Sequence, residues 1–394
     1  VQDDQAFVRP LRRDFPEFIP VRGRTGSEAA EPAHGDWVVA RLLHPQSRDE
    51  HLHAHQVQRL NSGQDLTDDL DAVVAEYGLP PPYTDEEAAA AAHLVAQIID
   101  REDLTENLTM TIDPVDAKDF DDALSIHESS RPNVVTVGVH IADVAAFVSP
   151  GSSLDAAAYG RSFTAYLPGR TLPMLPRVLA AETCSLREGE RRAAHSVFLD
   201  IDMASGTVVS SRRSHTWVRI SRRLTFDEVQ ECLTGTPPAA WPTAIVEGVQ
   251  ALGRVASRCR EARAEQETFL ELATREVRVL CAENPPRILG LRTEAQNQAH
   301  QLVEEFMLAA NVAVARELQT RGIAGIFRAH PEPRQPDIDS FRDWSRKALG
   351  LKPGRLSSRP SISHFLETVA GSHLQDVVTS AFLLRSSGGC CRSF

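Results

Sequence analysis

The sequence has no run of eighteen apolar residues, so no segment reads as a membrane-spanning helix. Its N-terminus has no basic-then-apolar leader of the secretory kind. It starts on Val1 rather than Met, the mark of a fragment or a processed form. Cysteine is sparse: Cys184, Cys232, Cys259, Cys281, Cys390 and Cys391 are the six in 394 residues. Their spacings match no zinc site, and two are adjacent, so a reduced, cytoplasmic chain is the simplest expectation. Positive charge is also short. Lys and Arg number 42 against 54 Asp and Glu, a net charge of −12, which argues against coating nucleic acid through bulk charge. A protein that threads one strand past a locally positive wall is still allowed. The length suits two or three domains, and the apolar content, 42%, is that of an ordinary globular chain.

Acidic residues, by contrast, are concentrated. Between Asp113 and Asp122 the chain carries Asp113, Asp116, Asp119, Asp121 and Asp122. Carboxylates this close repel one another unless cations sit between them. Leu108 to Ile112 alternates apolar and polar and Ala123 to Ile126 reads as a second strand, so the run is expected as a loop between strands. The bland reading is a solvated loop. A calcium-binding EF-hand is excluded, because the central glycine and the closing glutamate are not in register. So many hard oxygen ligands suit Mg²⁺ or Mn²⁺ better than zinc, and such a cluster usually activates water for attack on phosphorus.

The residues around that run carry a resemblance. Thr111-Ile-Asp-Pro-Val-Asp-Ala-Lys-Asp-Phe-Asp-Asp-Ala-Leu124 resembles the signature of the ribonuclease II (RNB) family of exoribonucleases. Val139-His-Ile-Ala-Asp-Val144, Tyr166-Leu-Pro-Gly169, Leu172-Pro-Met-Leu-Pro176, Cys184-Ser-Leu186 and Val303-Glu-Glu-Phe-Met307 are similar to the same family in the same order. The resemblance implies an α+β fold, a small OB/cold-shock-like β-barrel followed by an RNB-type mixed α/β catalytic domain. It implies a metal-dependent, hydrolytic 3′-to-5′ exoribonuclease that degrades single-stranded RNA to 5′-nucleoside monophosphates. In that case Asp113, Asp119, Asp121 and Asp122 hold one or two Mg²⁺ ions, Mn²⁺ being the substitute. Asp121 occupies the place of the family's key catalytic carboxylate. Tyr166 would clamp bases of the incoming strand, and Glu305, beside Glu304, would approach the terminal ribose. At Phe226 the family commonly has tyrosine, so stacking is kept and one hydrogen bond is lost.

The tail Ser386 to Phe394 departs from the family, and the arginine-rich segment and C-terminal OB-type domain expected there do not follow. A truncation or a changed reading frame accounts for that. Two rival expectations come with it: a catalytically impaired, RNA-binding member of the family, or a scaffold subunit of an RNA-decay complex whose acidic loop is only surface.

Taken in order, residues 1–62 are expected as the cold-shock-like domain, incomplete as a pair of barrels, with Phe15, Phe18 and Trp37 either stacking on bases or filling the barrel core. His51, His53 and His55 share one face of a strand, either a weak metal site or a solvated edge. Residues 63–105 read as a helical linker, with a Thr84/Glu87 capping box opening a helix through Ile98. Residues 106–394 are expected as the catalytic domain, altered from about 386. Within it His140 and Asp143 read either as site residues or as structural ones. A hairpin turns at Ala204 to Gly206. The basic stretch Arg212, Arg213, Arg219, Arg222 and Arg223 either lines a phosphate path or is a solvated face. A capping box at Thr225, an apolar stripe 245, 249, 252, 255 and 259, and a long helix from Thr293 to about Thr320 complete the expectations.

Overall fold

The computed structural model describes residues 6–12, 14–22, 32–43, 52–97, 99–265, 272, 275–283, 286–329, 333–386 and 390–393. The chain begins with β1 (Phe7–Val8), β2 (Ile19–Pro20), β3 (Trp37–Leu43), β4 (His53–Asn61), α1 (Leu66–Glu76) and α2 (Asp85–Ala92). There follow β5 (Glu102–Leu104), β6 (Thr109–Asp113), β7 (Asp122–Glu128), β8 (Val134–Ala142), α3 (Ser153–Arg161), β9 (Ala165–Leu167) and β10 (Arg170–Leu172). The long hairpin β11 (Arg191–Asp202) and β12 (Thr207–Arg219) leads to β13 (Arg222–Thr225), α4 (Phe226–Leu233) and α5 (Thr243–Ala264). The last part holds β14 (Arg275–Glu283), β15 (Pro286–Ala295), α6 (Gln298–Thr320), β16 (Ile326–Ala329), α7 (Gln335–Leu349), α8 (Arg359–Val369), α9 (Gln375–Ser386) and β17 (Cys390–Ser393).

Two compact units are formed. One comprises residues 1–89, 150–176 and 278–292, the other 90–149, 177–277 and 293–394. Both are discontinuous, whereas the sequence divides most simply into consecutive blocks. In the first unit β1 pairs with β2 and β3 with β4, both antiparallel, and Val21 bridges to Ala54. Ile19 and Ala54 are fully buried. Trp37 donates its Nε1 proton to Asp69 at 2.9 Å, Phe18 is exposed and Arg12 lies over the Phe15 ring. His53 and His55 lie on β4, and His51 falls outside the described residues.

The second unit is built on a seven-stranded sheet in the order β13-β6-β7-β8-β11-β12-β5. Its pleat sends alternate residues to opposite faces. Met110, Ile112, Leu124, Val137, Val139, Val197, Leu199 and Ile201 point to one face and pack against α5 and α6. The stripe expected on α5 is the one buried: Ile245, Val249, Leu252, Val255 and Cys259. From α6, Leu302, Phe306 and Ala310 complete this core. The other face is polar and hydrogen-bonded through buried Ser125, His140, Ser196 and Thr216. A separate apolar cluster, centred on Phe341, Phe365 and Phe382, joins α7, α8 and α9.

Helix starts follow local capping. Thr84 and Glu87 exchange hydrogen bonds ahead of α2, as the sequence suggests. That helix stops at Ala92, the chain from Leu94 to Gln97 is not helical, and the expected end, Ile98, lies outside the described residues. Thr225 and Glu228 form a full capping box at α4. The long helix starts later than the Thr293 pattern implies. Residues 286–295 are strand β15, and Asn297 is the N-cap, its side chain accepting from the His300 N–H. Gly322, with φ +63°, follows the helix end.

Candidate active site at the aspartate loop

The sheet fixes both ends of the acidic run. Asp113 is the last residue of β6 and Asp122 the first of β7, so the loop leaves one strand and re-enters its neighbour. Inside the loop Phe120 is strapped on both sides. Its N–H donates to Ser185 Oγ at 3.0 Å and its carbonyl accepts from the Leu186 N–H at 2.8 Å. The Cys184-Ser-Leu186 segment therefore serves the loop by backbone clamping, and Arg192 holds Ser185 in turn. The Asp121 carbonyl accepts from the Ala142 N–H at 2.9 Å, tying the loop to the end of β8.

Electrostatics single out three of the carboxyls. Burial, and then the charge of Asp122, pushes Asp113 up to about 7. Burial, and then Asp121, pushes Asp122 up to about 6. Asp121 is raised by burial and then by Asp119. Asp113 Oδ2 is buried and makes no hydrogen bond. A buried carboxylate oxygen without a donor, among carboxyls that oppose one another's ionisation, is what a divalent cation compensates. The donor set is all oxygen, which fits Mg²⁺ or Mn²⁺. Among the described residues no three His, Cys, Asp or Glu side chains converge closely enough to enclose an ion by themselves.

The other candidates fall in different places. Thr225 pairs with Asp113 in the parallel β13–β6 register, so Phe226, the next residue, starts α4 beside the acidic strand end. The Phe226 ring stacks on His300, with centroids 3.9 Å apart and planes 10° apart. Glu305 is buried and accepts from Arg263 Nε and Nη2 at 3.1 and 2.6 Å, whereas Glu304 is exposed. Tyr166 is on β9 of the other unit, paired with Thr171 and exposed.

His140 is structural. It is fully buried between Ser125 and Ser196, and burial pushes its pKa down to about 3, so the ring is neutral. Asp143 is structural too, bonded to the buried Arg101 guanidinium at 2.8 Å and to His215 at 3.2 Å, which hold its carboxyl low. Of the basic stretch, Arg212 pairs with Glu102, Arg213 with Glu317, and Arg219 donates to the Gly189 carbonyl. The sequence offers Cys184-Ser-Leu186 as a motif but not the role of Ser185, whose partner Phe120 lies 65 residues away, nor that of Arg192, which holds Ser185.

Comparison with known proteins identifies the family and the fold. Residues 101–387 match the RNB domain family. Exoribonuclease 2 of Yersinia pseudotuberculosis is 33% identical over 338 residues, which cover 84% of this chain and 50% of the relative. The chain spans about half the length of the curated relatives it matches. Among solved structures, Mycoplasma genitalium RNase R in complex with ribose-methylated single-stranded RNA superposes with a TM-score of 0.81 at 20% identity. That match covers 98% of this chain and 62% of the other. Yeast Ssd1, described as a pseudonuclease, superposes with a TM-score of 0.73 at 16% identity, covering 100% of this chain and 48% of its own. These structural likenesses are likenesses of fold. With the aspartate loop in place and the match spanning the greater part of the sequence, the chain belongs to the RNB domain family.

Proposed function

We propose that the protein is a hydrolytic 3′-to-5′ exoribonuclease that uses Mg²⁺ or Mn²⁺ and releases 5′-nucleoside monophosphates from single-stranded RNA. The observation that carries this reading is the buried, donorless Asp113 Oδ2 among the mutually opposed carboxyls of Asp121 and Asp122. Fold alone is not enough, since a pseudonuclease shares it. The support comes from the acidic set and from relatives named as ribonucleases.

Asp113, Asp119, Asp121 and Asp122 would hold the cation. When bound there, it lowers the pKa of a water and stabilises charge on a departing oxygen. The protein's own groups do the rest. The strapped loop keeps the carboxylates on rigid strand ends, and Asp121 is the candidate for the chemical step. Tyr166 offers an aromatic face to any base, which suits a degrader of mixed sequence. Phe226 offers the same face without a hydroxyl, already stacked on His300. A ribose-facing role for Glu305 would have to compete with its pairing to Arg263.

The test uses end-labelled single-stranded RNA with Mg²⁺ or EDTA, comparing the chain with Asp121→Asn. Stepwise mononucleotide release that needs Mg²⁺ and is lost in the variant is the expected result. RNA binding without cleavage by either protein would favour the second reading, an RNA-binding member without catalysis.

A further inference from the structure

Arg223 lies in a stretch whose neighbours Arg212 and Arg213 are spent on carboxylates, but its own side chain goes to the acidic loop. Its strand, β13, runs parallel to β6, with Arg223 beside Thr111 and Thr225 beside Asp113. From there Nη2 donates to the carbonyls of Pro114 and Val115, both at 2.9 Å. The guanidinium also lies 5.2 Å from the centroid of the Phe120 ring. The Arg223 backbone N–H donates to Glu188 at 2.8 Å, which anchors the strand edge. One side chain thus touches both limbs of the loop, just after Asp113 and just before Asp121.

We propose that Arg223 is a positioning residue for the aspartate loop. It pins Pro114 and Val115 on one limb and Phe120 on the other, and so sets the separation of Asp113 from Asp121. The planar guanidinium suits both tasks, because it can donate in its plane while its face lies against an aromatic ring. This inference rests on the reading of the loop as a divalent-cation site.

The experiment measures Mn²⁺ binding by electron paramagnetic resonance, without RNA, on the full chain and on Arg223→Met, Arg223→Lys and Arg212→Met. Arg212→Met is the control: it removes a guanidinium of the same basic stretch, paired with Glu102, on a strand four places from β6 in the sheet. Melting in EDTA reports folding of each variant. Removal of a group that orients metal ligands weakens metal binding by about 10- to 100-fold, which is the loss expected for Arg223→Met. Arg223→Lys keeps the charge without the fork and should lose a smaller factor. Arg212→Met should bind as the unaltered chain does. Equal binding by the unaltered chain and both Arg223 variants would overturn the inference, as would an equal loss in Arg212→Met. If Arg223→Met does not fold, equal binding by Arg223→Lys alone overturns it. Absence of Mn²⁺ binding in the unaltered chain would instead sink the cation-site reading itself, and this inference with it.

Discussion

A methyl group has no room at Gly138. A Cβ added there would meet Ser125 Oγ at 2.4 Å and His140 Nε2 at 2.8 Å. Neither atom can swing away cheaply. Ser125 bonds His140 at 2.9 Å, His140 bonds Ser196 at 2.7 Å, and Ser196 bonds Thr216 at 2.7 Å, all of them buried. Gly138→Ala should therefore cost about 1–3 kcal/mol by overpacking, with about 1 more if a buried hydrogen bond breaks. Denaturant melts would measure it, and an unchanged midpoint would refute the crowding. The same chain gives a pH signature. Burial keeps His140 neutral down to about 3, whereas an imidazole in the unfolded chain takes up a proton near 6.5. Between those values the unfolded state binds the extra proton, so stability falls as pH is lowered, by on the order of 1.4 kcal/mol per pH unit. His140→Gln cannot titrate, and its melts should show a flatter acid limb.

Between elements, α5 and α6 are joined by more than apolar packing. Glu305 is buried on α6 and its carboxylate is held by Arg263 from α5. Arg263→Ala would leave that carboxylate without its partner, a loss of about 3 kcal/mol, at the low end for a buried pair because Arg263 is partly exposed. Adding Glu305→Gln should recover part of the loss, read from the melting midpoints of the single and double variants. How much of this architecture is legible in the sequence depends on distance along the chain. The α5 stripe, the strands around the aspartates, the hairpin at Gly206 and the Thr225 capping box all rest on neighbours a few residues apart. The start of α6 was misread because Thr293 has the capping spacing but sits in an alternating strand, and the true cap is Asn297. Arg213 with Glu317 and Arg223 with Val115 are illegible in the sequence, because each joins residues more than a hundred positions apart that only the tertiary fold brings together.

At the scale of the whole molecule, the two units interleave along the chain, with residues 150–176 and 278–292 returning to the N-terminal part. Pattern within any one window cannot report such returns. The aspartates, however, are legible as one local cluster, and they make the overall stability depend on pH and metal together. With Asp113 raised to about 7 and Asp122 to about 6, the native state binds more protons than the unfolded one from near pH 4 up to those values. Their contribution is fully present below pH 4 and is lost as pH rises through 6 to 7. In EDTA the melting midpoint should therefore fall between pH 6.5 and pH 8, where the opposing His140 effect, which overlaps the aspartate effect from about pH 4 to 6.5, has ended. A divalent cation reverses the sign at the loop, since it binds the carboxylate form and competes with the protons. Mg²⁺ should raise the midpoint more at pH 8 than at pH 5, with about 2.7 kcal/mol expected at a hundredfold excess over its dissociation constant. Asp113→Asn should flatten the decline in EDTA and lose most of the Mg²⁺ gain. A Mg²⁺ shift of equal size at both pH values would show that the cation acts elsewhere, and the carboxylate loop would then be a solvated turn after all.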